Sequence, residues 1–286
     1  GEYAFNQQIN AIVPNSKINP RYLAYNLLFN KQRLIAVSNA PVVPIINKSQ
    51  FGEFVVNIEP DINKQYRIVD ILDKLSFIIN NRKEELNQLD NIIRARFVEM
   101  FGDPIRNENN WDVVCIGDII KDVRYGTSKP AVKDGKYPYL RMNNLTVDGY
   151  LDLNDLKYIN IQKDEIEKFI VRKGDILFNR TNSIDLVGKT ALFNLSEDMV
   201  IAGYIIRIRL NGRMLPEVFA QYMNLEALKD ILKSMAKGAV NQANINAQEL
   251  QSIKVYLPDM KLQKQFVDIK EQVDKSKVVV QKYYKI

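Results

Sequence analysis

The chain repeats itself over a long distance, and this repeat constrains the fold more than any other feature of the sequence. The segment 20–27 (PRYLAYNL) leads through a helical stretch and a Pro-Asp pair to an amphipathic segment that starts at Gln65. The same order of features returns between 216–223 and Gln263. Solenoid repeats recur every ~20–50 residues, so this longer spacing indicates a duplicated domain. We therefore expect two related domains, each followed by a long helix.

The composition removes several classes of chemistry. The sequence contains no histidine and a single cysteine, which excludes His-dependent triads, disulfide frameworks and Cys/His zinc sites. No apolar run is long enough to span a bilayer, and the sequence does not open with the basic-then-apolar pattern of a signal peptide. We expect a cytoplasmic protein with no membrane partner.

The charge of the chain is unevenly distributed. The net charge is +6, and one basic cluster is followed along the chain by an acid-rich stretch at 148–167. The cluster contains Lys121, Arg124, Lys129, Lys133, Lys136 and Arg141. Such polarity would orient a domain on phosphate groups, although a solvated charged face explains either cluster equally well.

Two long helices are predicted to pair with each other. Apolar residues alternate at spacings of four and three along 65–100, interrupted at Arg82, and a second amphipathic segment covers 261–286. This pattern is typical of a coiled coil. The seam positions that we expect to contact a partner helix or subunit are Ile68, Leu72, Leu75, Ile79, Leu86, Leu89, Ile93, Phe266 and Val273. An antiparallel arrangement would place the two domains at opposite ends of the helices.

Between the helices, short strand-like runs alternate with polar turns. Examples are the turns at Asp148-Gly149 and Gly174-Asp175, the second of which enters an apolar run. The fold class that we predict is α+β, with a curved, largely antiparallel sheet and long helices that form an antiparallel coiled coil.

Five polar segments resemble loops of a known family. In chain order they are 125–130 (YGTSKP), 140–145 (LRMNNL), 174–183 (GDILFNRTNS), 187–190 (VGKT) and 239–245 (AVNQANI). This ordered set is similar to the target recognition domain of Type I restriction-modification specificity subunits. The segments 97–103 and the one that starts at Gln263 resemble the helical connectors of that family.

The resemblance implies a domain organisation and a set of partners. It divides the chain into the C-terminal part of a first recognition domain (1–64), a central connector helix (65–105), a second recognition domain (106–260) and a C-terminal connector helix (261–286). Matching the repeats leaves the first domain without a counterpart of 106–196. The family reads the two halves of a split target in double-stranded DNA. Its helices dock methyltransferase subunits, and restriction and motor subunits join through them.

The same resemblance places the catalytic chemistry in other chains. We expect no cofactor, metal or catalytic residue here, and S-adenosylmethionine, ATP and Mg²⁺ in the partner subunits. We expect this chain to read one half-site, through 106–260, with little sequence-specific binding by 1–60.

Residue types in the loops suggest which side chains contact DNA. Asn, Gln and Arg match the donors and acceptors of base edges, whereas Lys, Ser, Thr and backbone N–H groups suit phosphates. We expect base contacts from Arg141, Asn143, Asn144, Arg180, Asn182, Asn241 and Gln242. We expect backbone contacts from Tyr125, Thr127, Ser128, Lys129, Thr181, Ser183 and Lys189. Asn-rich turns also occur for local reasons, because Asn tolerates unusual backbone angles.

Two other function classes remain open from the sequence. A Pro-Asp pair at 258–259 followed by Asp268-Ile269-Lys270 matches the pattern of metal-dependent DNA endonucleases. However, the repeat has no lysine at the equivalent Asp70-Ile71-Leu72, and the segment is predicted to be helical. The chain could also be a helical adaptor that binds protein rather than DNA.

Overall fold

A computed structural model describes residues 4, 6, 9–38, 45–239 and 242–282. These residues form two compact units, one that ends at Glu85 and one that begins at Leu86. The helices of the first unit are α1 (Pro20–Phe29), α2 (Lys31–Ala36), α3 (Lys48–Gly52) and the first part of α4 (Ile62–Phe101).

A buried glutamine fastens the helices of the first unit. The Gln65 side-chain oxygen accepts a hydrogen bond from the Asn19 backbone N–H at 2.8 Å. Its amide nitrogen donates to the carbonyls of Lys17 and Glu59 at 3.2 and 2.7 Å. Asn19 also caps α1 by accepting from the N–H groups of Arg21 and Tyr22. The starts of α1 and α4 are therefore held together by a single side chain.

The second unit combines short strands with the remaining helices. The strands up to the middle of this unit are β1 (Asp112–Cys115), β2 (Ile120–Tyr125), β3 (Tyr137–Leu140), β4 (Lys157–Ile159), β5 (Ile170–Val171), β6 (Ile176–Asn179) and β7 (Thr181–Asn182). The later strands are β8 (Thr190–Leu192), β9 (Met199–Ile201), β10 (Ile205–Leu210), β11 (Lys237–Ala239), β12 (Gln242–Asn244) and β13 (Lys254–Leu257). The helices are α5 (Ile166–Phe169), α6 (Pro216–Met223), α7 (Glu226–Met235), α8 (Ala247–Gln251) and α9 (Met260–Lys282).

The strands form small sheets whose neighbours are mostly antiparallel. The orders are β2-β10-β6-β8, β4-β3-β9-β5, β11-β12-β7 and β1-β13. Among the strands described, β3 and β9 make the one parallel pair. The predicted α+β fold with a largely antiparallel sheet is confirmed.

Aromatic packing joins the ends of the two long helices to the core of the second unit. The Phe97 ring lies 4.7 Å from Phe101, 5.3 Å from Phe266 and 5.9 Å from Tyr222, all in edge-on geometry. All four side chains are buried. Such edge-on pairs are favourable beyond the area that they bury.

The predicted antiparallel pairing of the helices is present in the second unit. Phe266 near the start of α9 contacts Phe97 and Phe101 at the end of α4, whereas Lys277 contacts Asp90, which lies earlier in α4. The chain directions therefore oppose each other. Gly102, with φ of 85°, follows α4 directly.

The predicted seam residues fall into two groups. Ile93 and Phe266 are buried, and Leu86, Leu89 and Val273 are half-buried. In the first unit, Ile68 and Leu72 are half-buried, whereas Leu75 and Ile79 are 43% and 41% exposed. The seam is thus covered in the second unit and largely open along the α4 residues of the first.

The repeat seen in the sequence is also a structural repeat. Gln263 is buried like Gln65, accepts from the Leu215 N–H at 2.8 Å, and donates to the carbonyls of Arg213 and Pro258 at 3.1 and 2.8 Å. Both glutamines therefore tie the N-terminus of a long helix to the loop that opens a shorter one.

Within the part of the chain that the structure describes, no helix has the length and apolar character needed to cross a membrane.

Candidate nucleic-acid interface

Strand directions bring four polar loops to one edge of the second unit. β10 begins at this edge, and β2 and β6 end there because both run antiparallel to β10. β9 ends there too, because only 202–204 separate it from β10, and β3 runs parallel to β9. We call the loops 126–131, 141–144, 180–183 and 202–204 the loop edge. It gathers most of the residues predicted to contact DNA.

The loop after β2 is shaped by a close backbone approach. A Cβ on Gly126 would lie 2.3 Å from the Ala202 carbonyl oxygen, so only glycine fits. Thr127 is buried beside it. The Thr127 N–H donates to the Ile201 carbonyl at 2.9 Å, and the Thr127 carbonyl accepts from the Tyr139 hydroxyl at 2.9 Å. Ser128 is exposed. Thr127 therefore holds the loop in place, and Ser128 faces solvent.

The loop after β3 is held by a buried lysine. The Lys189 ammonium donates to the carbonyls of Met142 and Leu145 at 2.7 and 2.6 Å. Asn144 is buried, accepts from the Arg141 N–H and donates to the Asp152 carbonyl, each at 2.8 Å. Burial lowers the pKa of Lys189. These two polar side chains are thus occupied within the protein.

A buried asparagine organises the loop after β6. The Asn179 amide donates to the carbonyls of Thr181 and Tyr204 at 3.0 and 3.1 Å, and its oxygen accepts from the Asn182 amide at 2.8 Å. The Thr181 hydroxyl donates to the Asn244 side chain at 2.8 Å. The backbone of 180–182 is therefore fixed before any ligand binds.

Arg180 stands between these fixed neighbours. Its guanidinium lies over the Tyr125 ring, 4.9 Å from the centroid, and the Tyr125 hydroxyl accepts from the Ala247 N–H at 2.9 Å. Tyr204, whose carbonyl accepts from the Arg180 N–H, is 50% exposed. The arrangement presents a cation that rests on one aromatic ring, that of Tyr125.

Two other cations predicted for this surface, Lys129 and Arg141, have acidic partners. Lys129 pairs with Glu165, and Arg141 pairs with Asp155 at 2.8 Å. Hydrogen bonds from Lys157 and Arg141 hold the pKa of Asp155 below its usual value. Arg180, by contrast, has no carboxylate partner among the described residues. Arg180 is therefore the loop-edge arginine whose charge is left for a ligand.

The structure separates the predicted DNA-contacting residues by exposure. The buried ones, with internal hydrogen bonds, are Thr127, Asn144, Thr181 and Lys189. Those at least partly exposed are Tyr125, Ser128, Lys129, Arg141, Asn143, Arg180, Asn182, Ser183 and Gln242. Asn241 lies outside the described residues. Gln242 begins β12, which pairs with β7 through Ala243 and Asn182 and so joins the same edge.

Two residues at or directly beside the loop edge were not among the predicted sites. Asn179 is the last residue of the otherwise apolar strand β6 and is fully buried, so only the polar residues after it gave a signal in the sequence. Tyr204 opens an apolar strand-like run, and the preceding Gly203 was the sole signal of a turn.

The segment that resembles a nuclease motif is helical. Asp268 and Lys270 both lie on α9, and the Lys270 ammonium pairs with Asp274 at 2.6 Å. Across the described ranges, no group of three His, Cys, Asp or Glu side chains is arranged to hold a metal ion.

The match to a family profile decides the affiliation of the chain. The profile described as "Type I restriction modification DNA specificity domain" matches residues 1–91 and 108–283. The chain belongs to this family. The matched residues include both repeats.

Similar proteins support the same affiliation. A protein provisionally named as the MjaX type I restriction enzyme specificity subunit of Methanocaldococcus jannaschii is 31% identical over 58% of this chain and 40% of its own length. The EcoKI specificity subunit of Escherichia coli K12 is 24% identical over 77% of this chain and 51% of its own length. The chain thus spans about half the length of these curated relatives.

Solved structures of the family share the fold. The S subunit of a Type I restriction-modification system from M. genitalium superposes with a TM-score of 0.53 at 15% identity, over 94% of this chain and 69% of that one. A chain from a structure of an assembled type I restriction-modification system gives 0.50 at 16% identity, over 92% and 64%.

Proposed function

We propose that this chain is a sequence-specific DNA-binding specificity subunit of a Type I restriction-modification system, and that its second unit reads one half of a split target. The loop edge is the reading surface. Arg180 supplies the main base contact, because arginine matches the paired acceptors of guanine in the major groove. Asn182 and Gln242 extend the contact, and the exposed Ser128 contacts a phosphate.

The observation that carries this proposal is the arrangement around Arg180. The guanidinium rests on Tyr125 without a carboxylate partner in the described residues, and the backbone beneath it is fixed by Asn179. A cation held in one orientation loses little conformational entropy on binding. The family affiliation and the loop edge together support DNA as the ligand.

Binding of a half-site duplex by Arg180 variants tests the proposal. Truncation in Arg180→Ala is expected to weaken binding by about 1–3 kcal/mol, or roughly 5- to 150-fold. Arg180→Lys should recover little, because lysine lacks the planar fork. Arg213→Ala is the matched control, because Arg213 follows the opposite end of β10 and is exposed. Equal losses in the Arg180 and Arg213 variants would contradict the assignment.

We also propose that the long helices dock methyltransferase subunits. The surface best suited to this is the open part of the α4 seam, because it is apolar and solvent-exposed at Leu75 and Ile79. Leu75→Asp with Ile79→Asp should abolish co-purification with the cognate methyltransferase subunit. The half-site affinity should stay unchanged, because neither residue belongs to the loop edge. Retained association would place the docking surface elsewhere.

In this proposal the chain recognises and positions but does not catalyse. S-adenosylmethionine, ATP and Mg²⁺ would bind to the methyltransferase, motor and restriction subunits, which join through the helices. The chain alone should therefore leave a bound duplex unmodified and uncut.

A further inference from the structure

A cluster of three polar side chains connects a turn of the second unit to both long helices. The Lys277 ammonium, on α9, donates to an Asp90 carboxylate oxygen on α4 at 2.5 Å and to the Tyr150 hydroxyl at 2.6 Å. Tyr150, in turn, donates to the same Asp90 oxygen at 2.5 Å. We call Asp90, Tyr150 and Lys277 the helix–turn lock.

The lock uses a seam position that an apolar residue would fill at lower cost. The Lys277 side chain is 8% exposed and lies in the helix face that also carries Phe266, Val273 and Val280. A buried ion pair contributes less to stability than apolar packing of the same volume, but a polar seam residue fixes how helices pair. Desolvation of the hydroxyl and its hydrogen bond to Asp90 raise the pKa of Tyr150.

The turn that carries Tyr150 is itself rigid. The Thr146 N–H donates to the Tyr150 carbonyl at 2.9 Å, and the Tyr150 N–H donates to the Thr146 hydroxyl oxygen at 3.0 Å. Gly149 has φ of 84°, and a Cβ there would lie 2.4 Å from the Asn224 amide nitrogen. The Lys229 ammonium donates to the Val147 carbonyl at 2.7 Å. The lock therefore connects the helices to a rigid turn in the strand-containing part of the second unit.

Two of the contacts between the helices and the domain lie far apart along α9. The first is the aromatic cluster around Phe97 and Phe266, and the second is the lock. Along α9, Phe266 and Lys277 are roughly 16 Å apart at about 1.5 Å per residue. One attachment alone would act as a pivot, whereas two attachments set an angle.

We propose that Asp90, Tyr150 and Lys277 are positioning residues that fix the angle at which the recognition domain is held on the paired helices. The lock thereby sets the direction in which the loop edge faces. The consequence for DNA recognition rests on the function proposed above, but the geometric claim does not.

Distances between two spin labels test the geometric claim in the intact chain without DNA. Cys115, the single cysteine, is replaced by serine, and labels are placed at the exposed Lys163 and Val279. Val279 is roughly 20 Å along α9 from Phe266, so a rotation of ~15° would move its label by roughly 5 Å. The unmodified lock should give one narrow distance distribution.

Two variants remove parts of the lock, each with a matched control. Lys277→Met and Tyr150→Phe should each broaden the distribution of distances. Each should also shift the mean distance by roughly 5 Å, which is the displacement that a rotation of ~15° gives at Val279. Lys275→Met and Tyr158→Phe make the same changes at exposed positions and should leave it unchanged. If Lys277→Met fails to fold, Tyr150→Phe decides, because it removes only a hydroxyl. A narrow, unshifted distribution in folded Tyr150→Phe would overturn the proposal.

An apolar replacement separates orientation from stability. Asp90→Leu combined with Lys277→Leu should fold at least as stably as the parent, yet keep the broad distribution, because Tyr150 loses both partners. A narrow parent-like distribution in this variant would show that packing alone sets the angle, which also overturns the proposal. Half-site affinity should remain within about twofold in Tyr150→Phe, a change below ~0.5 kcal/mol. A parent chain that fails to bind DNA would refute the proposed function and leave the distance result standing.

Discussion

The two repeats of this chain share the hydrogen bonds of a buried glutamine but differ in what covers their long helices. Gln65 and Gln263 make the same three kinds of hydrogen bond, with nearly equal distances. Counted from these glutamines, Ile68 corresponds to Phe266 and Leu75 to Val273. Phe266 is fully buried and Val273 is half-buried, whereas Ile68 is half-buried and Leu75 is exposed.

A repeated sequence determines local contacts more completely than it determines the coverage of an apolar helix face. The glutamine contacts are local, because each joins segments that lie within about one repeat of each other, so a similar sequence recreates them. Coverage of the seam needs a second long helix, and within the described residues the second unit has one, because α9 packs against the end of α4. An apolar stripe therefore predicts that a face is suited to packing without specifying its partner.

The largest expected difference in the free energy of unfolding is between variants of Phe266 and of its counterpart Ile68. Phe266→Ala should lower the free energy of unfolding by about 3–5 kcal/mol, because it empties a buried space beside the rings of Phe97 and Phe101. Ile68→Ala should cost about 1 kcal/mol, because a half-buried side chain loses less apolar contact. Urea unfolding measures both. Equal losses would mean that the first seam is covered as completely as the second.

The shared glutamines should respond alike. Gln65→Ala and Gln263→Ala should each cost about 1–3 kcal/mol, because each leaves buried backbone groups without partners. The exposed Gln265→Ala is the control and should stay within about 0.5 kcal/mol. Hydrogen exchange should localise the first loss to the start of α1 and the second to the start of α6. A large loss at only one glutamine would break the structural equivalence of the repeats.

Loss of a helix cap should lower stability by less than loss of a buried glutamine, and only the first repeat has a side-chain cap at this position. Asn19 caps α1 through its side chain, whereas Leu215, at the equivalent position before α6, makes no such bond. Asn19→Ala should cost about 1 kcal/mol, and Asn63→Ala, an exposed amide on α4, should stay within about 0.5 kcal/mol. Thermal unfolding of the two variants compares them. Indistinguishable midpoints would show that the Gln65 contact alone holds the start of α1.

The smallest expected effect lies in the open part of the seam. Leu75→Ser should change the free energy of unfolding by no more than about 0.5 kcal/mol, because the side chain already faces solvent. Val273→Ser should cost about 1–2 kcal/mol, because a partly buried apolar group is replaced by a polar one. Chemical unfolding in the absence of partner proteins measures the pair. A larger loss at Leu75 than at Val273 would reverse the comparison.

The sequence predicted the repeat, the antiparallel helices and the mixed fold because each depends on a pattern of residue types. Glutamine at equivalent places, apolar spacing along α4 and strand-like runs between Gly-containing turns are all visible in one dimension. Turn prediction also succeeded where backbone geometry requires glycine, as at Gly149 and Gly174, both of which have positive φ.

Roles within the candidate site depended on contacts that a sequence does not display. Lys189 was predicted to bind phosphate, but the structure gives its ammonium two backbone carbonyls as partners. Lys129 meets a carboxylate far away in the chain, at Glu165, and Asn179 is hidden beneath the residues that it orders. Residue type indicates which ligands a side chain can bind, and only burial and neighbours determine whether it is free to bind them.

The most direct test of the account is selection of duplexes by the intact chain from a randomised library at moderate salt. We expect enrichment of one short half-site, which Arg213→Ala preserves and Arg180→Ala loses or relaxes at one base pair. The absence of any enrichment, or equal enrichment of two half-sites at a fixed spacing, would contradict the claim that the loop edge of the second unit is the single reader in this chain.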